Sequence, residues 1–318
     1  MQKSHYIDAN ILLFDRTRVV RKQTRSVLNV LGFKTFQEFQ DLESVRLALC
    51  GQRVDVAGLN LDAVDCGVLR LIQDLRGRRF GIDPFVPILL TTWDAKLQSL
   101  RPVLESGADD VLLYPFSTAQ MGQRINNLVH DRKPFVVTED YFGPDRRATN
   151  LLRNDPTSIV VPNALRAHAL ADRSASPNVE RIEDTFAQLR RLKIRNLARR
   201  IWYLANRLKE SYSDPALPDR YERELVTLRK SVIIYHKTLL PLDGENLRAL
   251  CNSLTGVLGG MFGKPPSEKS FELLEQSALA LRVASKLEHE QGDDDDAISG
   301  EVAKIGKVQG DLIRAVLG

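Results

Sequence analysis

The sequence predicts two fold classes in one chain: a doubly wound α/β domain and, after it, an all-α helical bundle. Three observations carry this. Short apolar runs alternate with amphipathic stretches through the N-terminal part. Residues 132–178 lose that order and collect prolines and paired arginines. From Val179 onward only helical spacing remains.

Five runs read as strands: Asn10–Phe14 (NILLF), the weaker Phe33–Phe39, Val54–Leu59, Val86–Leu90 and Asp110–Leu113. Continuous apolar runs this short suit a sheet buried on both faces, hence a parallel one. Between them the period is helical. Val20, Val27, Leu28 and Leu31 share a stripe that Gly32 closes as a C-cap. Val45–Leu49, Val68–Leu75, Leu97–Leu104 and Met121–Val129 give four more helices. In such a sheet, function collects at the carboxyl ends of the strands.

Residues 134–177 read as a partly ordered linker, with two apolar pieces, Phe135–Val137 and Ile159–Val161, pinned against a domain. ALRAHALA after Pro162 suits a short helix. Ile182, Phe186, Leu189, Leu197, Ile201, Leu204 and Leu208 then recur at helical steps, a helix of roughly 30 residues and about 45 Å. SDPALPD (Ser213–Asp219) breaks it. A second helix runs to Pro241, a third over Gly244–Phe262 and a fourth over Ser267–Glu290. Asp293–Asp296 would cap a last one ending at Leu317. Short connections make this an antiparallel bundle.

With 318 residues there is room for two domains, and 43% hydrophobic with 27% charged residues excludes a wholly disordered chain. Cys50, Cys66 and Cys251 are scattered and form no CxxC. That excludes a disulfide scaffold, fits a reducing cytoplasm and argues against a cysteine-based zinc site. No apolar run is long enough to span a membrane, and the N-terminus lacks the apolar core of a signal peptide. A net charge of +4 is too small to imply nucleic acid by itself.

The polar residues at the strand ends are Asp15–Arg16, Asn60, Thr91–Thr92 and Tyr114–Pro115. The stretches ILLFDRTRVVRKQTRSVLNVLGF, VDVAGLNLDAVDCGVLRLIQDLR and PILLTTWDAKLQSLRPVLESGADDVLLYPFS together resemble a bacterial response-regulator receiver domain over residues 8–131. Gly107–Ala108–Asp109 followed by Pro115–Phe116 is the most specific part. The resemblance implies a flavodoxin-like fold of five parallel strands. It also implies two acids holding Mg²⁺, an aspartate that accepts a phosphoryl group, a switch hydroxyl and a phosphate-contacting lysine. Carried over by position, Asp15 matches the first acid and Arg16 replaces the second. Asn60 stands at the acceptor, Thr92 matches the hydroxyl, and Tyr114 replaces the lysine. A neutral amide is a poor nucleophile for an acyl phosphate, and Mg²⁺ seeks several oxygen ligands. An Arg16–Asp15 ion pair could fill the metal position. Asp62 and Asp65 are a weak fallback acceptor pair, better read as loop and capping residues. Tyr114 reads otherwise as a packing residue with a wet hydroxyl. The resemblance further implies a partner face made by Asp94–Ser106, Asp110–Tyr114 and Thr118–His130.

The helical half offers weaker candidates. Asp184 and Gln188 lie four apart on one helical face, a spacing that resembles the acid-plus-amide pair of helical chemotaxis phosphatases. Arg190–Arg200 is basic but lacks interleaved aromatics, which argues against nucleic acid. His236 reads as an ordinary half-exposed histidine. Gly256, Gly259 and Gly260 suggest a kink or close helix approach. Trp202 and Tyr203 sit off the main apolar stripe and mark a contact for a partner or a second copy. Arg146–Arg147 in YFGPDRR either dock the linker or form a solvated turn. The expected protein is a non-enzymatic signalling adaptor without cofactor or metal. Its expected parts are a pseudo-receiver (1–133), the linker (134–177) and a helical interaction bundle (178–318). Other signalling proteins are its expected partners. The alternatives are a phosphatase acting on a response regulator and a DNA-binding regulator.

Overall fold

The computed structural model describes residues 6–62, 66–96, 101–146, 158–213, 218–239, 245–262 and 265–290. It divides into two compact units, 1–189 and 190–318. In the first, β1 (Asn10–Phe14), β2 (Thr35–Phe39), β3 (Val56–Asn60), β4 (Ile88–Thr92) and β5 (Asp110–Leu113) form one parallel sheet in the order β2-β1-β3-β4-β5. The helices are α1 (Arg18–Val30), α2 (Leu42–Gly51), α3 (Cys66–Arg76), α4 (Arg101–Leu104) and α5 (Thr118–His130). Leu12, Leu59, Ile72 and Leu90 belong to one core, and Ile11, Leu13, Leu89 and Ile125 to another. Alternate residues of each strand thus feed opposite faces, which is why the strands read as unbroken apolar runs.

Two local devices fix the elements. Gly32, at φ +108°, ends α1, and Phe33 N–H donates back to Leu28 O at 3.1 Å, a glycine-terminated helix end that satisfies the last carbonyls. Phe33 is therefore a buried cap residue, and β2 starts at Thr35. β4 starts at Ile88 and not at Val86, because the Val86 carbonyl is taken by Arg76 and Pro87 has no N–H to give. The first residues of the expected helix Leu97–Leu104 lie outside the described residues.

The segment after α5 is built onto the sheet's lower edge, where β5 begins. β6 (Phe135–Val137) and β7 (Phe142–Pro144) pair antiparallel, and Ile159 bridges to Phe135. A short helix, α6 (Ala164–Ala169), buries Leu165 against the core beneath α5. The anchor is ionic. Asp109, just before β5, accepts from Arg76 Nη2 at 3.0 Å, Arg132 Nε at 2.7 Å and Ile88 N at 2.8 Å. Arg76 is 1% exposed. It also donates to the carbonyls of Gly107, Pro84 and Val86. Burial pushes its pKa down to about 10, so it stays charged at neutral pH. Both guanidiniums lie over the Phe135 ring, at 5.3 and 5.2 Å. Arg146 donates to the carbonyls of Ala108 and Asp109, so it docks the segment; Arg147 lies outside the described residues.

Phe85, Phe135 and Phe142 pack ring against ring, and Phe186 joins them from α7 (Val179–Ser213) with its centroid 5.0 Å from that of Phe85. The first turns of this long helix therefore belong to the α/β unit. In the second unit, the rest of α7 shares one core with α8 (Pro218–Leu239), α9 (Glu245–Met261) and α10 (Glu268–Glu290). Ile201, Leu228, Tyr235, Leu254 and Leu281 are fully buried there, and Tyr235 Oη meets Ser285 Oγ at 2.7 Å. Gly256, Gly259 and Gly260 face open space, which rules out the expected close helix approach. Asp293–Asp296 and the helix expected to Leu317 lie outside the described residues.

Two stability predictions follow from the lower edge. Asp109→Ala leaves two buried cations without their counter-charge and is expected to cost about 3–5 kcal/mol, read by urea unfolding. Asp83 Oδ2 is buried with no hydrogen-bond partner, and burial raises this acid from 3.8 to about 6 against the opposing charges of Arg132 and Arg76. Its folded-state pKa exceeds the unfolded one, so stability falls as pH rises from about 4 to about 6. Asp83→Asn should raise the melting temperature at pH values above that window, with the gain closing towards its acid end.

Candidate functional site

The sheet's upper edge gathers the polar strand-end residues. Asp15 follows β1, Asn60 ends β3, Thr91 and Thr92 end β4, and Tyr114 follows β5. Asp15, Thr91 and Tyr114 line one small cavity with Arg21 and Thr24 of α1, over an apolar floor that includes Leu13, Val56 and Ile125. Asp15 is buried. Its Oδ1 accepts from Thr17 N at 2.7 Å, and its Oδ2 has no hydrogen-bond partner. Burial raises its pKa and the Asp62 carboxylate adds to the rise, while the Thr17 N–H and Arg21 oppose it. The guanidinium that answers Asp15 is that of Arg21, which also donates to the Asp15 carbonyl; Arg16 is exposed.

Asn60 turns its amide towards Thr91, with Nδ2 3.4 Å from both Oγ1 and the carbonyl. Thr92 Oγ1 accepts from Asp94 N at 3.2 Å, which commits the hydroxyl to the turn after β4. Tyr114 does not have a wet hydroxyl. Its Oη meets Thr24 Oγ1 at 2.6 Å inside the domain, and burial pushes its pKa up. Its ring is the middle of a stack, with Trp93 at 4.7 Å and Phe116 at 4.6 Å. Trp93 is 58% exposed and forms the outer end.

This donor set does not fit a Mg²⁺ ion. Of the two acidic positions that the resemblance assigns to the metal, only Asp15 carries a carboxylate, and Arg21 already holds that residue's carbonyl. Asp62 is exposed, and Asp65 lies outside the described residues.

Arg21, Thr24 and Trp93 are not among the expected site residues, and Thr91 is placed at a strand end without a role. Thr24 left a signal: it is a polar residue on the apolar stripe of α1, the usual mark of a side chain with a buried partner. Asp184 and Gln188 are not among the residues that line this cavity. Asp184 and Gln188 are both exposed on the first turns of α7. Trp202 is half-buried against the bundle core with the Arg282 guanidinium 4.1 Å above its ring, while Tyr203 is exposed and bonds Arg207. His236 is half-buried on α8, and in the basic run Arg191, Arg199 and Arg200 are exposed.

The strand order and the polar cluster at the carboxyl strand ends define a flavodoxin-like α/β domain with a strand-end site. No family model matches the chain. Among solved structures it is similar to a chemotaxis response regulator of Vibrio cholerae, with 18% identity and a TM-score of 0.33 over 37% of this chain and 97% of that one. It is also similar to a signal receiver domain of a two-component histidine kinase from Clostridium thermocellum, with 17% identity and a TM-score of 0.34 over 38% and 97%. A third is the receiver domain of a sensor histidine kinase from Pseudomonas aeruginosa, with 26% identity and a TM-score of 0.31 over 37% and 94%. Among the described residues, no helix is long and apolar enough to cross a membrane.

Introducing a single group should not create phosphoryl chemistry at this edge. Asn60→Asp alone is expected to leave Mg²⁺ binding unmeasurable, because Arg16 and Tyr114 remain. Asn60→Asp, Arg16→Asp and Tyr114→Lys together should recover Mg²⁺ binding more than phosphorylation, with Trp93 fluorescence as the readout. Equal behaviour of the single and triple variants would contradict this account.

Proposed function

We propose that the chain is a phosphorylation-independent adaptor in two-component signalling, with a pseudo-receiver that presents a fixed surface and a helical domain that binds other signalling proteins. The observation that carries the reading is Asn60. A neutral amide at the end of β3, turned towards Thr91, offers no carboxylate oxygen to a phosphoryl donor. Three further positions support it. Arg16 stands where a second acid would hold metal, the Thr92 hydroxyl already accepts from Asp94, and Tyr114 is locked to Thr24 where a mobile lysine would reach phosphate. With Asn60, Thr92 and Tyr114 each bound to a neighbour, the upper edge supports no acyl-phosphate switch in this reading.

A phosphatase reading rests on Asp184 and Gln188, whose exposure leaves them accessible to a partner's surface. The same experiment addresses both readings. Incubation of the full chain with acetyl phosphate and Mg²⁺ is expected to give no hydroxylamine-labile label, and addition to a phosphorylated response regulator should leave that regulator's dephosphorylation rate unchanged. Stoichiometric labelling would overturn the adaptor reading. A rate increase abolished by Gln188→Ala would replace it with the phosphatase.

A further inference from the structure

Helix α8 places Leu225, Leu228, Val232, Tyr235 and Leu239 in the bundle core. On its opposite side Arg223, Val226, Lys230, Ile233 and Lys237 are all exposed. Their steps of three and four residues set them in one line, the spacing of a seam between two helices. The line runs about 21 Å, or roughly four turns. Val226 and Ile233 are each 42% exposed. Among the described residues, Arg223, Lys230 and Lys237 make no ion pair. The only acid between Arg223 and Lys237 is Glu224, which is turned aside and held by Arg207 and Arg220. Arg229, beside the line, lies over the Phe262 ring and adds a further cation.

Charge selects the occupant. A second copy pairing through this face would set cation against cation in either direction, since Lys230 would face its twin or another base of the same line. A membrane surface is poorly served, because two β-branched side chains offer little apolar area to insert. A helix with aliphatic residues at matching steps and flanking carboxylates satisfies both components, the apolar steps and the exposed bases. We propose that the outer face of α8 seats an acidic amphipathic helix of another protein. This names the partner chemistry of the adaptor reading and rests on it.

The probe is a synthetic acidic peptide of about three heptads, with leucine at the seam and glutamate beside it. It is fluorescently labelled and titrated with the full chain. Saturable binding that weakens with added salt is expected, while a lysine-for-glutamate version of the peptide should not bind. Lys230→Glu with Lys237→Glu should weaken binding at least about tenfold, and Val226→Ser with Ile233→Ser by a similar factor. Both pairs are exposed, so the far-UV circular dichroism should match that of the parent chain. The proposal is overturned if the acidic peptide does not bind, or if neither double variant changes its affinity. It is also overturned if vesicles of phosphatidylglycerol in phosphatidylcholine, or duplex DNA, bind this face while the peptide does not. The phosphorylation assay bears on the adaptor reading alone, so failure of peptide binding and failure of that reading are told apart.

Discussion

One carboxylate, that of Asp109, holds the α/β unit together below its sheet. It sits between two guanidiniums that the fold has taken out of water, and neither Arg76 nor Arg132 could stay there without it. The consequences spread outward. Arg76 gathers the carbonyls leading into β4 and so sets where that strand begins. Arg132 ties the exit of α5 to the Pro162 carbonyl. Phe135 lies against both cations and brings Phe85, Phe142 and Phe186 into one aromatic cluster. An interaction of this kind adds little net stability over an apolar equivalent, but it tolerates few alternative arrangements, and here it fixes the entry to the sheet and the exit from it.

The two edges of the sheet consequently differ in kind. The lower edge is covered, and the Arg76 and Arg132 charges there are answered by Asp109. The upper edge keeps the strand-end constellation in outline, yet each polar group there is bound to a neighbour by the shortest route: Thr92 to its own turn, Asn60 to the adjacent strand, Tyr114 to α1. Among the described residues there, the Asp15 Oδ2 has no hydrogen-bond partner, and burial disfavours its charge. Trp93, Tyr114 and Phe116 stack at this edge, with Trp93 as the exposed end.

The sheet was legible because a parallel sheet buried on both faces leaves continuous apolar runs, and Gly32 marked the end of α1 as a glycine terminator should. The bundle was legible for the matching reason, a sustained helical period. What sequence could not disclose depends on long-range closure. An arginine reads as solvated until its acid is found, and Arg76 and Asp109 are 33 residues apart. Phe135, Phe142 and Phe186 looked like fragments of a linker and a helix until Phe85 joined them. At the site, the positions of Asp15, Asn60, Thr92 and Tyr114 could be counted from the strands. Arg21 and Thr24 required the rotation of α1 about its axis, which spacing alone leaves open by a residue or two.

The glycines at the lower edge have a consequence of their own. A Cβ on Gly143 of β7 would lie 2.7 Å from the Gly107 Cα, and one on Gly107 would lie 2.9 Å from the Phe142 carbonyl. Backbone rests directly on backbone, with no side chain between to yield. A single methyl group at either position acts as a shim: at Gly143 it presses on the Tyr141 hydroxyl as well as on backbone, and at Gly107 on the Arg76 side chain. Even the smallest side chain at either glycine therefore strains both the seat of β7 and the buried arginine beside it.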